Sequence, residues 1–258
     1  MTQDQAVPPA LARLPIFTAR QAFAAGAVLW LGFAVVAAWV LAGGSLGFDA
    51  YGLRYWRGED AASPFLLEAV RDITALGGVT LRNLIALAGL IALAMLDLRR
   101  EALWLAATVL LGWLANSGAK QLFGRARPDI VPHLMEAGGA SFPSGHSFNG
   151  AVVCFALALT FAALARGRAA RRAILAAALA ASLAIAWSRV WLGVHYPSDV
   201  IAGWLGGAGW AFLAAGIAQA VAQPSHASAG SLTEKRPDPR EAKRASPTNQ
   251  PPSSSADT

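Results

Sequence analysis

Long apolar segments separated by short polar ones fill the chain from about residue 22 to residue 222. Most approach the roughly 20 residues that a helix needs to cross the hydrocarbon core of a bilayer. The pattern predicts six membrane-spanning helices, at about 22–46, 74–96, 103–123, 148–165, 173–187 and 200–222. The fifth is short, and a continuation past Arg189 would bring it to full length. The predicted fold is an all-α polytopic membrane protein, a bundle of six transmembrane helices.

The segment between the first two predicted spans, residues 49–73, mixes charged residues with large aromatic ones such as Tyr51, Tyr55 and Trp56. Aromatic side chains concentrate at the depth of the lipid headgroups. Pro64 also suits the first turn of a helix. We therefore predict a short interfacial helix over residues 64–73, and a plain solvated connector is the alternative.

The two ends of the chain differ in composition from its middle. Arg13 and Arg20 precede an apolar stretch much longer than the roughly 7–15 residues of a cleavable signal sequence, which predicts a retained first span. After Gln223, bulky apolar residues disappear and Ser, Pro, Lys, Glu and Thr dominate, which predicts a disordered tail. The predicted organisation is an N-terminal segment (1–21), one membrane domain (22–222) and a tail (223–258).

The basic residues indicate the orientation of the bundle. Of the 21 Lys and Arg residues, thirteen fall on the side of the two termini and eight on the other side. The positive-inside rule therefore predicts that both termini are cytoplasmic and that the opposite face looks toward the periplasm of a bacterial cell. The formal charge of +6 does not indicate nucleic-acid binding, because no stripe of cations with interleaved aromatic residues is present.

Charged residues and histidines cluster in three blocks at the predicted outer ends of the spans. The blocks are Lys120 with Arg127-Pro128, then Pro143-Ser144-Gly145-His146, then Ser188-Arg189 with His195 and Asp199. They supply three cations, two histidines and one carboxylate to one face of the bundle.

The cations of these blocks predict an anion site. A single Lys or Arg beside a span would be read as snorkelling to the headgroups, but Lys120, Arg127 and Arg189 converge on one face. An arginine fork binds two phosphate oxygens at once. At the start of the fourth span, backbone N–H groups attract anions, Ser144 adds a hydroxyl donor and Gly145 lets the backbone approach closely. Arg125 is a weaker candidate, interpreted as facing the lipid headgroups.

The histidines supply acid–base and nucleophilic groups. His195 and Asp199 are four residues apart, so on a helical backbone the carboxylate would hold one ring nitrogen and leave the other free to attack. His146 is available as an acid or a base. Four histidines without a Cys/His or Glu/His ligand pattern predict no metal and no cofactor. His133 and Glu136 lie between the blocks without a supporting partner spacing and receive no role.

These motifs resemble those of the type 2 phosphatidic acid phosphatase (PAP2) superfamily at all eleven fixed positions, in order, within residues 120–199. The resemblance implies that His195 is the nucleophile and forms a phosphohistidine, that Asp199 orients it, and that His146 protonates the leaving oxygen and then activates water. It further implies a clamp on the phosphoryl oxygens without a metal; its members would be Lys120, Arg127, Ser144, Gly145 and Arg189.

The resemblance implies an integral membrane lipid phosphatase. Its substrate would be a lipid phosphomonoester or diphosphate, such as phosphatidic acid, phosphatidylglycerol phosphate, undecaprenyl diphosphate or lipid A; the sequence selects neither among these lipids nor an oligomeric state. A lipid phosphotransferase using the same site is the main alternative. A non-catalytic transporter would explain the spans and the anion site but not the paired histidines, and the related vanadium haloperoxidases are soluble.

Overall fold

The computed structural model describes residues 17–57 and 63–222, and these residues form eight α-helices and no strand. In chain order they are α1 (Ala19–Leu41), α2 (Leu46–Arg57), α3 (Pro64–Ala75), α4 (Val79–Met95), α5 (Arg99–Phe123), α6 (Gly145–Leu164), α7 (Arg168–Trp191) and α8 (Pro197–Ala222). The predicted all-α fold is confirmed. The predicted disordered tail lies outside the described residues, as do residues 1–16 of the predicted N-terminal segment.

The helices fit the predicted number of membrane spans. Five of them, α1, α5, α6, α7 and α8, are each long and apolar enough to cross a membrane. The number is six if the pair α3 and α4, bent by 50° at the break between them, is counted as one span. The short helix predicted to start at Pro64 is present as α3, and its first turn is capped by the Ser63 hydroxyl, which accepts a hydrogen bond from the Leu66 N–H.

Several predicted boundaries are wrong. The first span ends at Leu41 rather than near residue 46, and residues 49–57, placed in a connector, belong to the helix α2. Helix α4 begins at Val79 rather than near residue 74, and α7 at Arg168 rather than near residue 173. The buried positions of α2 follow a helical period, but two of them are Asp49 and Arg57, so the buried face is polar and the apolar pattern does not mark it. The fifth span does reach full length, because α7 continues past Arg189 to Trp191.

Helix α6 lies at the centre of the bundle, packed against α5, α7 and α8, while α1 lies along α8. Helices α6 and α8 approach each other closely. A Cβ added at Gly203 would lie 2.6 Å from the carbonyl oxygen of Ser144, and one added at Gly207 would collide with the carbonyl of Phe148. Glycine is thus required where the two backbones touch, and this contact fixes the second and third turns of α8 against the first turn of α6.

The long connection between α5 and α6, residues 124–144, folds over one end of the bundle. The N–H of Ser141 donates to the carbonyl of Arg125 over 2.8 Å, and the N–H of Leu134 donates to the carbonyl of Leu192 over 3.0 Å. Arg57 of α2 donates from Nε to the carbonyl of Pro132 over 3.1 Å. These bonds tie the connection to the same end of the bundle at which α6 and α8 begin.

Candidate active site

A cavity of about 340 Å³ opens beneath this connection. It is lined by Lys120, Arg127, Met135, Glu136, Ala137, Gly138, Gly139, Ala140, Gly145, His146, Arg189 and His195. Six of the eight residues predicted to form the site are therefore in its wall. The other two, Ser144 and Asp199, are fully buried and do not appear among the lining residues.

His195 lies in the short connection between α7 and α8 and is almost fully buried. Gly193 turns the chain there with a φ of 75°, a conformation that favours glycine. The Nδ1 atom of His195 lies 3.4 Å from Oδ2 of Asp199, and Nε2 lies 3.1 Å from Nη1 of Arg127. A guanidinium can only donate, so Nε2 presents its lone pair and Nδ1 carries the proton toward the carboxylate.

The surroundings of His195 keep its ring neutral. Burial lowers the pKa of His195 to about 4, and the positive charges of Arg189 and Arg127 act in the same direction. The hydrogen bond to Asp199 and the charge of that carboxylate oppose the shift but do not reverse it. At neutral pH the imidazole is therefore unprotonated at Nε2, the form that can attack a phosphorus atom.

Asp199, in the first turn of α8, is held from several sides. Its Oδ2 accepts hydrogen bonds from the hydroxyl of Ser141 over 2.5 Å and from the backbone N–H of Tyr196 over 3.0 Å. Its Oδ1 accepts from Nη1 of Arg125 over 2.6 Å. The carboxylate that faces His195 is consequently fixed in position and electrically compensated.

The interpretation of Arg125 as facing the lipid headgroups is wrong. Its side chain is only 14% exposed, and besides Asp199 it pairs with Asp49 of α2, Nη2 to Oδ2, over 2.7 Å. Asp49 in turn accepts hydrogen bonds from the N–H and the hydroxyl of Ser198, over 2.9 and 2.7 Å. Arg125 therefore joins two buried carboxylates. Sequence reasoning missed Asp49, because it lies in a helix that the apolar pattern did not reveal.

Arg189, in the last turn of α7, is 2% exposed and forms part of the cavity wall. Its Nη1 donates to the hydroxyl of Thr74 in α3 over 2.9 Å, and Nη1 also contacts Sδ of Met135. Its Nε is buried and has no partner among the described residues. A buried guanidinium N–H without an acceptor is costly, and an anion in the cavity would satisfy it.

Lys120 and Arg127 hold the connection over the cavity. Nζ of Lys120 donates to the carbonyl of Ala140 over 2.5 Å. Arg127 donates from Nη2 to the carbonyl of Gly138 over 2.6 Å and from Nε to that of Gly139 over 3.1 Å. Three consecutive carbonyl oxygens thus accept hydrogen bonds from the two cationic side chains. Oxygens of a bound anion could accept the same hydrogen bonds in their place.

The residues at the start of α6 differ in whether they line the cavity. Ser144 is its N-cap, and His146 and Gly145 in the first turn line the cavity. The Ser144 hydroxyl accepts a hydrogen bond from the Ser147 hydroxyl over 3.1 Å, and its N–H donates to the carbonyl of Asp199 over 2.9 Å. Ser144 therefore links α6 to α8, and its contact with phosphate stays a prediction.

Two residues without an assigned role differ in their positions. Nε2 of His133 lies 2.7 Å from the carbonyl oxygen of Pro128, away from the cavity. Glu136 is exposed and forms part of the cavity wall. No sequence spacing marks Glu136, because the folding of the connection alone brings it there. Within residues 17–57 and 63–222, no group of three or more His, Cys, Asp or Glu residues is placed to hold a metal ion.

A cavity edged by three cations and two histidines, at one end of a bundle of membrane-spanning helices, is suited to phosphoryl transfer at a membrane. The sequence model of the PAP2 superfamily matches residues 101–222. Phosphatidylglycerophosphatase B of Bacillus subtilis is 32% identical over 148 residues, which cover 54% of this chain and 69% of that protein. The lipid A 1-phosphatase of Rhizobium etli is 36% identical over 126 residues, covering 45% of this chain and 50% of that protein.

A solved structure agrees with these sequence comparisons. The crystal structure of a transmembrane PAP2-type phosphatidylglycerolphosphate phosphatase from Bacillus subtilis superposes with a TM-score of 0.66 at 27% identity. The match covers 76% of this chain and 96% of that one. The chain belongs to the PAP2 superfamily, so the predicted family is confirmed.

Proposed function

We propose that this membrane phosphatase removes a phosphate from a membrane lipid through a phosphohistidine formed on His195. The observation that carries the proposal is the arrangement of His195. Its Nδ1 faces Asp199, and its Nε2 faces a cavity whose wall also contains Lys120, Arg127 and Arg189. The names of the two relatives, a phosphatidylglycerophosphatase and a lipid A phosphatase, support a lipid phosphate as the substrate.

In the first step, the phosphoryl group lies among the three cations, where its oxygens replace the carbonyls of residues 138–140 and accept from Nε of Arg189. Nε2 of His195 attacks the phosphorus and forms a P–N bond, while the P–O bond to the lipid breaks. The negative charge of the bound phosphate favours the protonated form of His146, which gives its proton to the departing lipid oxygen. The clamp stabilises the charge that the phosphoryl oxygens carry in transit.

In the second step, His146, now neutral, takes a proton from a water molecule. The resulting hydroxide attacks the phosphorus, the P–N bond to His195 breaks and inorganic phosphate leaves. Asp199 stabilises the positive charge on the His195 ring while the phosphohistidine exists. If an acceptor lipid hydroxyl entered in place of water, the same site would act as a phosphotransferase, which is the alternative function.

We expect phosphate release to be independent of divalent metal ions, because the three cations supply the positive charge that a metal would otherwise bring. Purified protein in detergent, incubated with phosphatidic acid, phosphatidylglycerol phosphate or an isoprenoid diphosphate, should release inorganic phosphate equally with and without a chelator. Activity that disappears with the chelator and returns with a divalent ion would contradict the mechanism.

The same assay separates hydrolysis from transfer. Hydrolysis predicts that the phosphate released equals the dephosphorylated lipid formed. A phosphorylated acceptor lipid in place of inorganic phosphate would instead identify the phosphotransferase. A protein that bound the lipid phosphates without altering any of them would be a transporter or a binding protein.

The acid limb of activity should lie well below the ordinary histidine pKa of about 6.5. The attacking form of His195 is the neutral one, which predominates above its pKa, and burial and the neighbouring arginines lower that pKa to about 4. As pH falls, kcat/KM should therefore decline only as it approaches the lowered value. Two substrates whose phosphates differ in pKa distinguish titration of His195 from titration of the substrate. If His195 causes the decline, its pH is the same for both substrates; if the substrate phosphate causes it, the pH differs between them. A fixed limb near 6.5 would contradict the assignment.

We further propose that both termini are cytoplasmic and that the cavity faces the periplasm, as the distribution of thirteen and eight basic residues predicts. A reporter fused after Thr258 should be active only if it works in the cytoplasm, and one inserted into the α5–α6 connection only if it works in the periplasm. The reverse pair of results would place the cavity on the inner leaflet.

A further inference from the structure

A second cavity, of about 510 Å³, lies between α4, α5 and α6. Most of its lining is apolar, with Leu87, Leu90 and Val109 among the side chains. Three polar residues interrupt this lining: Arg82 and Asn83 from the first turns of α4, and Asn149 from α6. Because the walls belong to spanning helices, this groove lies at the depth of lipid chains, and its polar residues lie at its outer end.

Arg82 is the unusual member of this groove. It is 5% exposed, and its hydrogen bonds are to the side-chain oxygen of its neighbour Asn83, from Nε and Nη2 over 3.2 and 3.1 Å. Within the part of the chain that the structure describes, no carboxylate forms an ion pair with it. An uncompensated cation in a spanning helix is costly and is typical of a binding site for a charged ligand.

The groove adjoins the catalytic cavity. Asn149 of the groove donates from Nδ2 to the carbonyl of Gly145, which lines the catalytic cavity. In the break between α3 and α4, a Cβ added at Gly77 would lie 3.3 Å from the carbonyl oxygen of His146. Gly145 and Asn149 are four residues apart on α6, so the polar end of the groove follows the catalytic cavity along that helix by about one turn, a rise of roughly 5.4 Å.

We infer that Arg82, assisted by Asn83 and Asn149, binds a second phosphate of the substrate lipid, a phosphodiester joined to the cleaved phosphate through a glycerol bridge, while the groove receives an acyl chain. This rests on the proposed function. The spacing of one turn suits a bridge of that length, whereas the two phosphates of a diphosphate share an oxygen and both stay in the catalytic cavity. Arg82 is thus a specificity residue for phosphatidylglycerol-phosphate-like lipids.

The test measures kcat/KM of Arg82→Gln against phosphatidylglycerol phosphate, phosphatidic acid and an isoprenoid diphosphate. A charge-assisted contact contributes about 1.5–3 kcal/mol, which is a factor of roughly 10 to 150. We expect the kcat/KM of Arg82→Gln to fall by about that factor for phosphatidylglycerol phosphate alone, mostly through a higher KM. Arg82→Lys should recover a substantial part of this kcat/KM. Arg54→Gln, an exposed cation on the same side of the bundle, should change none of them.

An equal loss on all three lipids, no loss on any, or a loss confined to the diphosphate would overturn the inference. Retained activity on phosphatidic acid also shows that the variant is folded. If wild-type protein released no phosphate from any of the lipids, the proposed function itself would fail, which is a distinct result.

A second variant tests the groove without altering its charge. Ala106 lines the groove, whereas Ala107, the next residue of α5, is exposed and does not. Ala106→Trp should raise the KM for long-chain phosphatidylglycerol phosphate about tenfold and leave a short-chain soluble analogue within twofold, since filling the groove displaces only the chain. Ala107→Trp should alter neither. Equal effects of the two tryptophans would overturn the placement of the lipid chain.

Discussion

Replacing His195 by alanine is expected to lower phosphate release by about 10⁴-fold or more, since removal of a nucleophile leaves only binding and electrostatic stabilisation. His146→Ala should behave differently. With a substrate whose leaving group needs no proton, such as an aryl phosphate, the first step still proceeds and phosphoenzyme accumulates, because activation of water is lost. The measurement is acid-labile phosphate bound to protein after rapid quenching, alongside steady-state release.

Each of the two variants is a control for disturbance of the fold in the other. Both residues line the same cavity, so a general disturbance of the fold would suppress phosphoenzyme in both. Phosphoenzyme on His195→Ala, or equal residual turnover of the two variants with an aryl phosphate, would show that the roles are assigned wrongly.

Arg125→Gln is expected to destabilise the protein by about 3–5 kcal/mol, the range seen when one partner of a buried ion pair is removed. Arg125 is the cation between Asp49 and Asp199, both of which are fully buried. Thermal unfolding in detergent would report the loss. Activity measured below the unfolding temperature should also fall, since Asp199 loses the bond that fixes its Oδ1.

A double variant makes this prediction specific. Asp49→Asn together with Arg125→Gln removes a cation and one of its two carboxylates, so its unfolding temperature should exceed that of Arg125→Gln alone. Arg54→Gln, an exposed arginine of α2, should leave the unfolding temperature unchanged. Additive losses in the double variant would show that Arg125 and Asp49 are not coupled.

The sequence predicted those parts of the molecule whose signals are local. Apolar runs located the spans, and fixed spacings located Lys120, Arg127, His146, Arg189 and His195, all of which reach one cavity. A spacing of four residues, together with the preference of Pro197 for a first helical turn, was enough to pair His195 with Asp199.

What the sequence did not reveal depends on contacts between distant segments. Asp49 meets Arg125 across 76 residues of chain, in a helix whose inner face is polar and therefore shows no apolar period. Glu136 reaches the cavity only through the fold of a long connection. The burial of Ser144 likewise depends on how closely α8 approaches α6, and a local motif does not encode that distance.

The family signature spans residues 101–222, yet parts of the working site come from before it. Asp49 compensates the charge of Arg125, which pairs with the carboxylate that faces His195, and the Thr74 hydroxyl accepts a hydrogen bond from Arg189. A fragment cut at the signature boundary would retain every motif residue and still lack these two supports. Grafting the motifs onto another bundle would meet the same obstacle, so domain swaps and truncations of this enzyme need α2 and α3 as part of the transplanted unit.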